Sequence, residues 1–146
     1  MLVAGSDSVG HLLTGALLEI ATAGPPDDLP GFIERRLALD PPFVAFWRRA
    51  TRDVVLDGVA ISAGGLVQLP YAQLNEGAAR HMSFGHGIHF CLGAALARLE
   101  AEVALRAVLD ATAAIEVAGP VERLASPSVG GFRRVVLCMR ELPSAR

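Results

Sequence analysis

The sequence predicts a mainly α-helical fold with a small β-sheet, on three observations. Apolar residues recur at helical spacing over residues 2–22, and a long alanine- and leucine-rich helix is predicted from residue 91 to about residue 110. Residues 43–69 instead combine β-branched residues with glycine turns, which is typical of short strands. The chain has 146 residues, enough to bury a hydrophobic core. We therefore interpret residues 1–146 as a single domain.

The composition is apolar for a small domain, with 52% hydrophobic residues and a mean hydropathy of +0.43. This predicts a surface that is covered by a ligand, a partner or further chain. The net charge of −2 does not indicate nucleic-acid binding. Two cysteines without a C-x-x-C motif fit a reducing compartment, so we predict a cytoplasmic protein. The apolar N-terminus lacks the basic region of a secretory signal peptide. No uninterrupted apolar run reaches membrane-spanning length.

The first two predicted helices have recognisable ends. Residues 24–26, Gly-Pro-Pro, end the first helix, and Ser6, Asp7 and Ser8 near its start are candidates to cap it. A shorter helix is predicted from Pro30, which suits a first helical turn, to about residue 39.

The β-rich segment contains a strong hairpin signal. Residues 54–61 predict two strands joined by the two-residue turn Asp57-Gly58, and a further strand is predicted near residues 66–69. Arg48 precedes the hairpin and offers a planar, permanently charged donor that suits a buried carboxylate. A solvated edge strand is the alternative reading. Residues 70–82 predict an irregular connection.

The chain is organised around residues 84–100, which read FGHGIHFCLGAALARLE. Gly85, Gly87 and Gly93 let the backbone turn and approach something flat or bulky. Cys91 is predicted at the start of the long helix, where the positive end of the helix dipole favours the thiolate. Apolar neighbours are expected to keep the thiolate dry. Such a thiolate suits a soft metal ligand or a nucleophile.

The long helix is apolar on two opposite faces. Leu92, Leu96, Leu99 and Val103 share one face, and a row of alanines shares the other, which predicts a helix sandwiched between layers. Arg98 and Glu102 are spaced to pair along the helix. A final strand is predicted over residues 132–139, with Cys138 as an ordinary buried residue.

Residues 84–93 resemble the haem-binding loop of the cytochrome P-450 family, F-x-x-G-x-[R/H]-x-C-x-G. The matching residues are Phe84, Gly87, His89, Cys91 and Gly93, and the continuation ALARLE resembles the bacterial members. The resemblance covers the C-terminal part of that fold. It implies that Cys91 is the axial thiolate ligand of a haem b iron, which favours O–O cleavage. It also implies that His89 contacts a haem propionate and that Phe84 shields the sulfur.

Two further segments resemble the same family. Residues 4–8, AGSDS, resemble the A-G-x-[D/E]-[T/S] element, in which a small-residue break leaves room for oxygen. The resemblance implies that Asp7 and Ser8 relay protons to that oxygen. It also implies that Arg48 pairs with a haem propionate.

The sequence departs from the family at its E-x-x-R motif. Arg35 stands at the glutamate position and Ala38 at the arginine position, and Glu34 does not restore the motif because Leu37 lies three residues later. In the family this network locks the cysteine loop through a further arginine, which has no counterpart here. We therefore expect the loop to be held by apolar packing alone, or to be mobile.

The resemblance implies a haem-thiolate monooxygenase that inserts one oxygen atom from O2 into a small organic substrate. Electrons would come from a ferredoxin- or flavin-type donor, and the apolar composition is compatible with self-association or with a completing chain. The alternative is a catalytically impaired or inactive remnant, or a helper protein, that at most binds haem. Two further alternatives are a zinc site and a cysteine nucleophile; the potential zinc ligands are His81, His86, His89 and Cys91.

Overall fold

The computed structural model describes the backbone of residues 2–143 and the side chains of residues 5–143. Its elements in chain order are α1 (Leu2–Ala23), α2 (Leu29–Leu39), β1 (Phe46–Arg49), β2 (Val54–Leu56), β3 (Val59–Ile61), β4 (Leu66–Leu69), α3 (Tyr71–Leu74), α4 (Ala94–Ala111), β5 (Thr112–Arg123) and β6 (Phe132–Glu141). A single 3-10 turn, Gly87–His89, precedes α4.

The mainly α-helical fold class with small sheets is confirmed. Among the described residues the strands pair as three separate two-stranded antiparallel ladders, β1 with β4, β2 with β3, and β5 with β6. The predicted hairpin closes at Asp57-Gly58, where φ is 46° and 78°. Left-handed backbone at both central positions is the turn geometry that matches the twist of the paired strands.

The core lies where α1, α2 and α4 meet. The buried apolar side chains that form it are Leu12, Ala16, Ile20, Leu29, Phe32, Ile33, Leu37, Ala101, Leu105 and Ile115. Ala16 and Ala101 are small and almost fully buried, so they let the α1 and α4 backbones approach closely. α4 is thereby fixed against the other two helices, and the chain enters α4 directly from the cysteine loop.

The second helix begins as predicted. Asp28 caps α2, and its side chain accepts a hydrogen bond from the Gly31 amide at 3.1 Å. Pro30 lies in the first turn, where its missing N–H removes no helical hydrogen bond.

Several sequence predictions about the other helices are wrong in detail. α1 begins at Leu2, so Ser6, Asp7 and Ser8 lie inside the helix and do not cap it. α4 begins at Ala94 with Gly93 as its N-cap, so Cys91 precedes the helix. The helix does not start at the cysteine because the Cys91 amide is bonded to the Phe84 carbonyl of the preceding loop.

The prediction that α4 is sandwiched between layers is also wrong within the described residues. Ala101 and Leu105 are fully buried, whereas Leu96, Leu99 and Val103 are 53%, 58% and 59% exposed. Helical periodicity identifies an apolar face but not what packs against it.

Two further side chains differ from prediction. Arg98 does not pair with Glu102 along the helix, because it forms a closer pair with Glu34 of α2, and Glu102 pairs with Arg106 instead. Cys138 in β6 is exposed, because β5 and β6 form a two-stranded ladder with little of its surface covered.

Candidate functional site

The cysteine loop, residues 84–93, is closed by its own backbone. The Cys91 amide donates to the Phe84 carbonyl at 2.8 Å, which joins the two ends of the loop. Between them, Phe90 N donates to Gly87 O at 3.0 Å and forms the 3-10 turn. Ala94 N then donates to Cys91 O at 3.3 Å, and α4 follows. The closed part of the loop thus brings together four of the predicted residues, Phe84, Gly85, His89 and Cys91, and Gly93 follows as the N-cap of α4.

Glycine is required at Gly85 for two separate reasons. Its φ of 74° lies in the left-handed region, and a Cβ there would lie 2.9 Å from the His89 carbonyl oxygen and 3.4 Å from the Tyr71 hydroxyl. Gly87 also has positive φ, 61°, but a side chain there would meet open space. Gly85 therefore sets the close packing of the loop against itself.

The Cys91 thiol is free and exposed, and its apolar neighbours are exposed with it. Ile88 is 96% exposed, Leu92 95% and Phe90 46%. The expected dry surroundings of the thiol are therefore not supplied by the described residues. A soft sulfur donor, exposed apolar side chains and the exposed imidazole of His89 fit a flat apolar group that carries a metal ion and carboxylates.

A cluster of three charged or polar side chains lies behind the loop. We call Glu34 of α2, His81 of the preceding connection and Arg98 of α4 the loop clamp. Arg98 binds Glu34 with two hydrogen bonds, Nε to Oε1 at 2.5 Å and Nη2 to Oε2 at 3.0 Å. His81 Nε2 lies 3.1 Å from Glu34 Oε2. Hydrogen bonding by Arg98 lowers the pKa of Glu34; burial opposes this shift and His81 adds to it.

The loop clamp contacts Phe84 directly. The Arg98 guanidinium carbon lies 4.4 Å from the centre of the Phe84 ring, and the His81 ring centre lies 5.9 Å from it. Ser83, one residue earlier, donates its hydroxyl to the Leu37 carbonyl of α2 at 2.5 Å. These polar contacts correct the expectation that apolar packing alone holds the loop.

A buried amide ties the same connection to α2. Asn75 accepts a hydrogen bond from the Met82 amide at 2.6 Å and donates to the Ala38 carbonyl at 3.0 Å. It is 7% exposed, and both ends of its side chain are satisfied. Ala38, which the family resemblance placed at a missing arginine, thus contributes through its backbone.

The remaining predicted site residues lie elsewhere. α1 runs without interruption through Asp7, which is exposed, and Ser8, whose hydroxyl donates to Gly5 O at 3.4 Å. Arg48 in β1 donates to the carbonyl of its neighbour Trp47 at 3.0 Å. Within the described residues no hydrogen bond or ion pair links Asp7 or Arg48 to the cysteine loop. Their predicted roles stay predictions.

The structure also bears on the zinc alternative and on membrane insertion. Over the described part of the chain, no three His, Cys, Asp or Glu side chains converge in a way that could hold a metal ion. The cluster suggested by the sequence, His81, His86, His89 and Cys91, is therefore not assembled as a zinc site. Nor does any helix within that part have the length and apolar character needed to cross a membrane.

The sequence of this chain is similar to those of several known proteins. No protein-family model matches the chain. Cyclomarin C epoxidase of Salinispora arenicola is 38% identical over 77% of this chain, and cytochrome P450 144 of Mycobacterium tuberculosis is 34% identical over 96% of it. The chain belongs to the cytochrome P450 family. The names of P450 relatives include an epoxidase and a hydroxylase, so the family is one of oxidoreductases.

A solved P450 structure agrees with the fold. CYP109E1 of Bacillus megaterium, in complex with testosterone, superposes on 96% of this chain with a TM-score of 0.85 and 27% identity. This chain covers 45% of that structure. It spans 32% of the epoxidase and 36% of P450 144, about a third of the curated P450 relatives it matches.

Sequence reasoning missed the loop clamp. Glu34 and Arg98 are 64 residues apart, and no local period relates them. The available signal was weak: Glu34 lies next to the position where the P450 motif requires a glutamate, and Arg98 lies in the ALARLE continuation.

Proposed function

We propose that Cys91 would be the thiolate ligand of a haem b and that this chain forms the haem-binding part of a P450 monooxygenase. The supporting observation is the closed loop in which the Cys91 amide binds the Phe84 carbonyl at 2.8 Å while Cys91 is exposed. A fixed backbone with an exposed cysteine suits a residue that would bind iron. The proposed reaction is insertion of one oxygen atom from O2 into a small organic substrate.

The residues around the thiol would hold the haem. His89 and Arg48 offer N–H donors to the two propionates, and a hydrogen bond to a charged carboxylate contributes about 1.5–3 kcal/mol. Phe84 would border the sulfur. Gly93 would let the backbone approach the ring system without a side chain in the way, since a Cβ there would lie 3.9 Å from the Cys91 sulfur, and Gly85 would support the loop through its close packing against His89.

Bound haem supplies the iron that activates dioxygen. The chain contributes an anionic sulfur ligand at Cys91 and a proton path at α1. There, the Asp7 carboxylate would hold a proton and the Ser8 hydroxyl would pass it towards the reaction site. Electrons would come from a ferredoxin- or flavin-type donor.

A second candidate function is haem binding without turnover. Two observations favour it: Arg35 and Ala38 stand where the family motif has glutamate and arginine, and the apolar face of α4 is exposed. Product formation separates the two candidates. Supplied with haem, a ferredoxin–reductase pair and a panel of small organic compounds, a monooxygenase consumes O2 and forms oxygenated product, whereas a remnant binds haem only.

The proposed ligand is tested by spectroscopy. Haem is added to the full chain, which is then reduced under carbon monoxide. We expect the red-shifted Soret band of thiolate ligation. Cys91→Ala should abolish that band and Cys138→Ala, the matched control in the same chain, should leave it intact. A band that survives in Cys91→Ala would show that another residue binds the iron.

A further inference from the structure

We propose that Glu34, His81 and Arg98 act as positioning residues that hold the Cys91 loop in its closed conformation. This chain would thus replace the missing E-x-x-R network with a clamp of different residues. The functional meaning of this inference rests on the proposed role of Cys91. The structural part, the closure of the loop, stands on its own contacts.

The clamp joins three segments that are distant in the sequence. Glu34 comes from α2, His81 from the connection before the loop and Arg98 from α4. Both carboxylate oxygens of Glu34 are used, Oε1 by Arg98 and Oε2 by Arg98 and His81. Arg98 Nη1 also donates to the Ala94 carbonyl at 3.2 Å, at the start of α4. A two-pronged charge-assisted contact fixes orientation as well as distance.

The clamp reaches the cysteine through Phe84. Arg98 stacks on the Phe84 ring at 4.4 Å, and His81 contacts the same ring. The Phe84 carbonyl accepts the Cys91 amide hydrogen. If the Phe84 ring were free to move, the backbone hydrogen bond between the Cys91 amide and the Phe84 carbonyl would therefore be weakened. The path from Glu34 to Cys91 needs only two intermediates, Arg98 and Phe84.

The neighbouring residue of α2 cannot perform this task. Arg35 points to α1, where its Nη2 binds Glu19 Oε1 at 2.6 Å and its guanidinium carbon lies 5.1 Å from the centre of the Phe32 ring. Within the described residues, Glu34 is the charged residue of that helix turn that faces the loop. A carboxylate one position from the family's glutamate site thus reaches the cysteine loop because it binds an arginine on α4.

Amide hydrogen exchange measures loop closure directly. In the haem-free chain, exchange of the Cys91 amide reports opening of its bond to Phe84. Glu34→Gln keeps the shape of the side chain and removes its charge. Because Glu34 and Arg98 are 44% and 38% exposed, the pair is partly screened, and we expect Cys91 exchange to accelerate about fivefold.

A matched control and a core reference separate positioning from general destabilisation. Glu102→Gln breaks an ion pair on the same helix, with Arg106, away from the loop, and should leave Cys91 exchange within about twofold of wild type. The amide of Ala101, which is fully buried, reports global opening. The proposal is supported if the Cys91 amide is less protected than the Ala101 amide, so that its bond to Phe84 opens locally, and if Glu34→Gln accelerates Cys91 exchange while Glu102→Gln does not. Unchanged Cys91 exchange in Glu34→Gln, or equal protection of Cys91 and Ala101 in wild type, would overturn it.

A haem-loaded measurement tests the link to function. If Cys91 binds iron, Glu34→Gln should lower the fraction of the carbon monoxide complex that shows the thiolate Soret band, while Glu102→Gln should not. If wild type shows no such band, the proposed ligand fails, and the exchange experiment still decides the clamp. An unchanged band fraction in Glu34→Gln, together with unchanged exchange, rejects the clamp while leaving the ligand assignment in place.

Discussion

Asp40 at the end of α2 provides the sharpest test of how this small chain is stabilised. Its Oδ2 accepts from Arg36 Nη2 at 2.7 Å, and its two oxygens accept from Arg123 of β5 at 3.0 and 3.1 Å. Asp40 therefore joins α2 to the β5–β6 ladder. Burial raises the pKa of Asp40, but hydrogen bonds from Arg123 and Arg36 lower it more, so the net shift is downward.

The loss of stability expected for Asp40→Asn depends on how exposed its two arginine partners are. The Arg36 and Asp40 side chains are 12% and 15% exposed, so their charge-assisted bond should contribute about 1.5–3 kcal/mol. Arg123 is 60% exposed, and screening leaves its pair below about 1 kcal/mol. Asparagine keeps one acceptor oxygen, so the total loss should be about 2 kcal/mol. Arg36 Nε is buried and has no hydrogen-bond partner among the described residues. Weakening the Asp40 contact would therefore leave this guanidinium with a further polar group poorly satisfied, which adds to the loss of stability.

Urea unfolding followed by far-UV circular dichroism measures this free energy of unfolding. Because the folded pKa of Asp40 is lowered, its contribution is complete above the unfolded pKa and is lost as the pH falls through the folded pKa. The difference between wild type and Asp40→Asn should thus be about 2 kcal/mol at pH 7 and shrink below about pH 4.

A surface ion pair serves as the control. Glu116 and Arg140 pair across the β5–β6 ladder with side chains 58% and 65% exposed, so Glu116→Gln should change the free energy of unfolding by less than about 0.5 kcal/mol. If Asp40→Asn lowered the free energy of unfolding at pH 7 by less than about 0.5 kcal/mol, the reasoning would be refuted. A loss that persists unchanged at low pH would also refute it, since the carboxylate charge would then not be its source.

Two further predictions concern the cysteine loop and the exposed helix face. Gly85 and Gly77 both have positive φ, but a Cβ at Gly85 would lie 2.9 Å from the His89 carbonyl oxygen, whereas a Cβ at Gly77 would meet open space. We expect the haem affinity measured by titration to fall about tenfold in Gly85→Ala and to stay unchanged in Gly77→Ala. Equal affinities would show that the loop adapts. The exposed face of α4 should cause self-association in water, which Leu99→Glu should reduce in sedimentation velocity while Leu39→Glu, on α2, should not. A monomeric wild type would contradict this.

Local features of the chain were predictable from the sequence because their causes are local. The left-handed turn at Asp57-Gly58, the proline in the first turn of α2 and the turning backbone of the glycine-rich loop each depend on residues a few positions apart. The partner of Arg98 was not predictable in this way. An exposed pair with Glu102 along the helix contributes only about 0.3–0.5 kcal/mol, and the two-pronged bond to Glu34 outweighs it. The choice depends on how α2 and α4 pack, which no local pattern reveals.

The charged residues of α2 divide between two tasks, and this division can be tested. Glu34 faces the cysteine loop through Arg98, whereas Arg36 and Asp40 face α1 and β5 through Glu19 and Arg123. Asp40→Asn should therefore lower the free energy of unfolding and accelerate Ala101 exchange, and leave Cys91 exchange unchanged, because the Cys91 bond to Phe84 opens locally. Glu34→Gln should accelerate Cys91 exchange. If Asp40→Asn accelerated Cys91 exchange as much as Glu34→Gln does, α2 would act as one rigid unit and the loop would have no separate clamp.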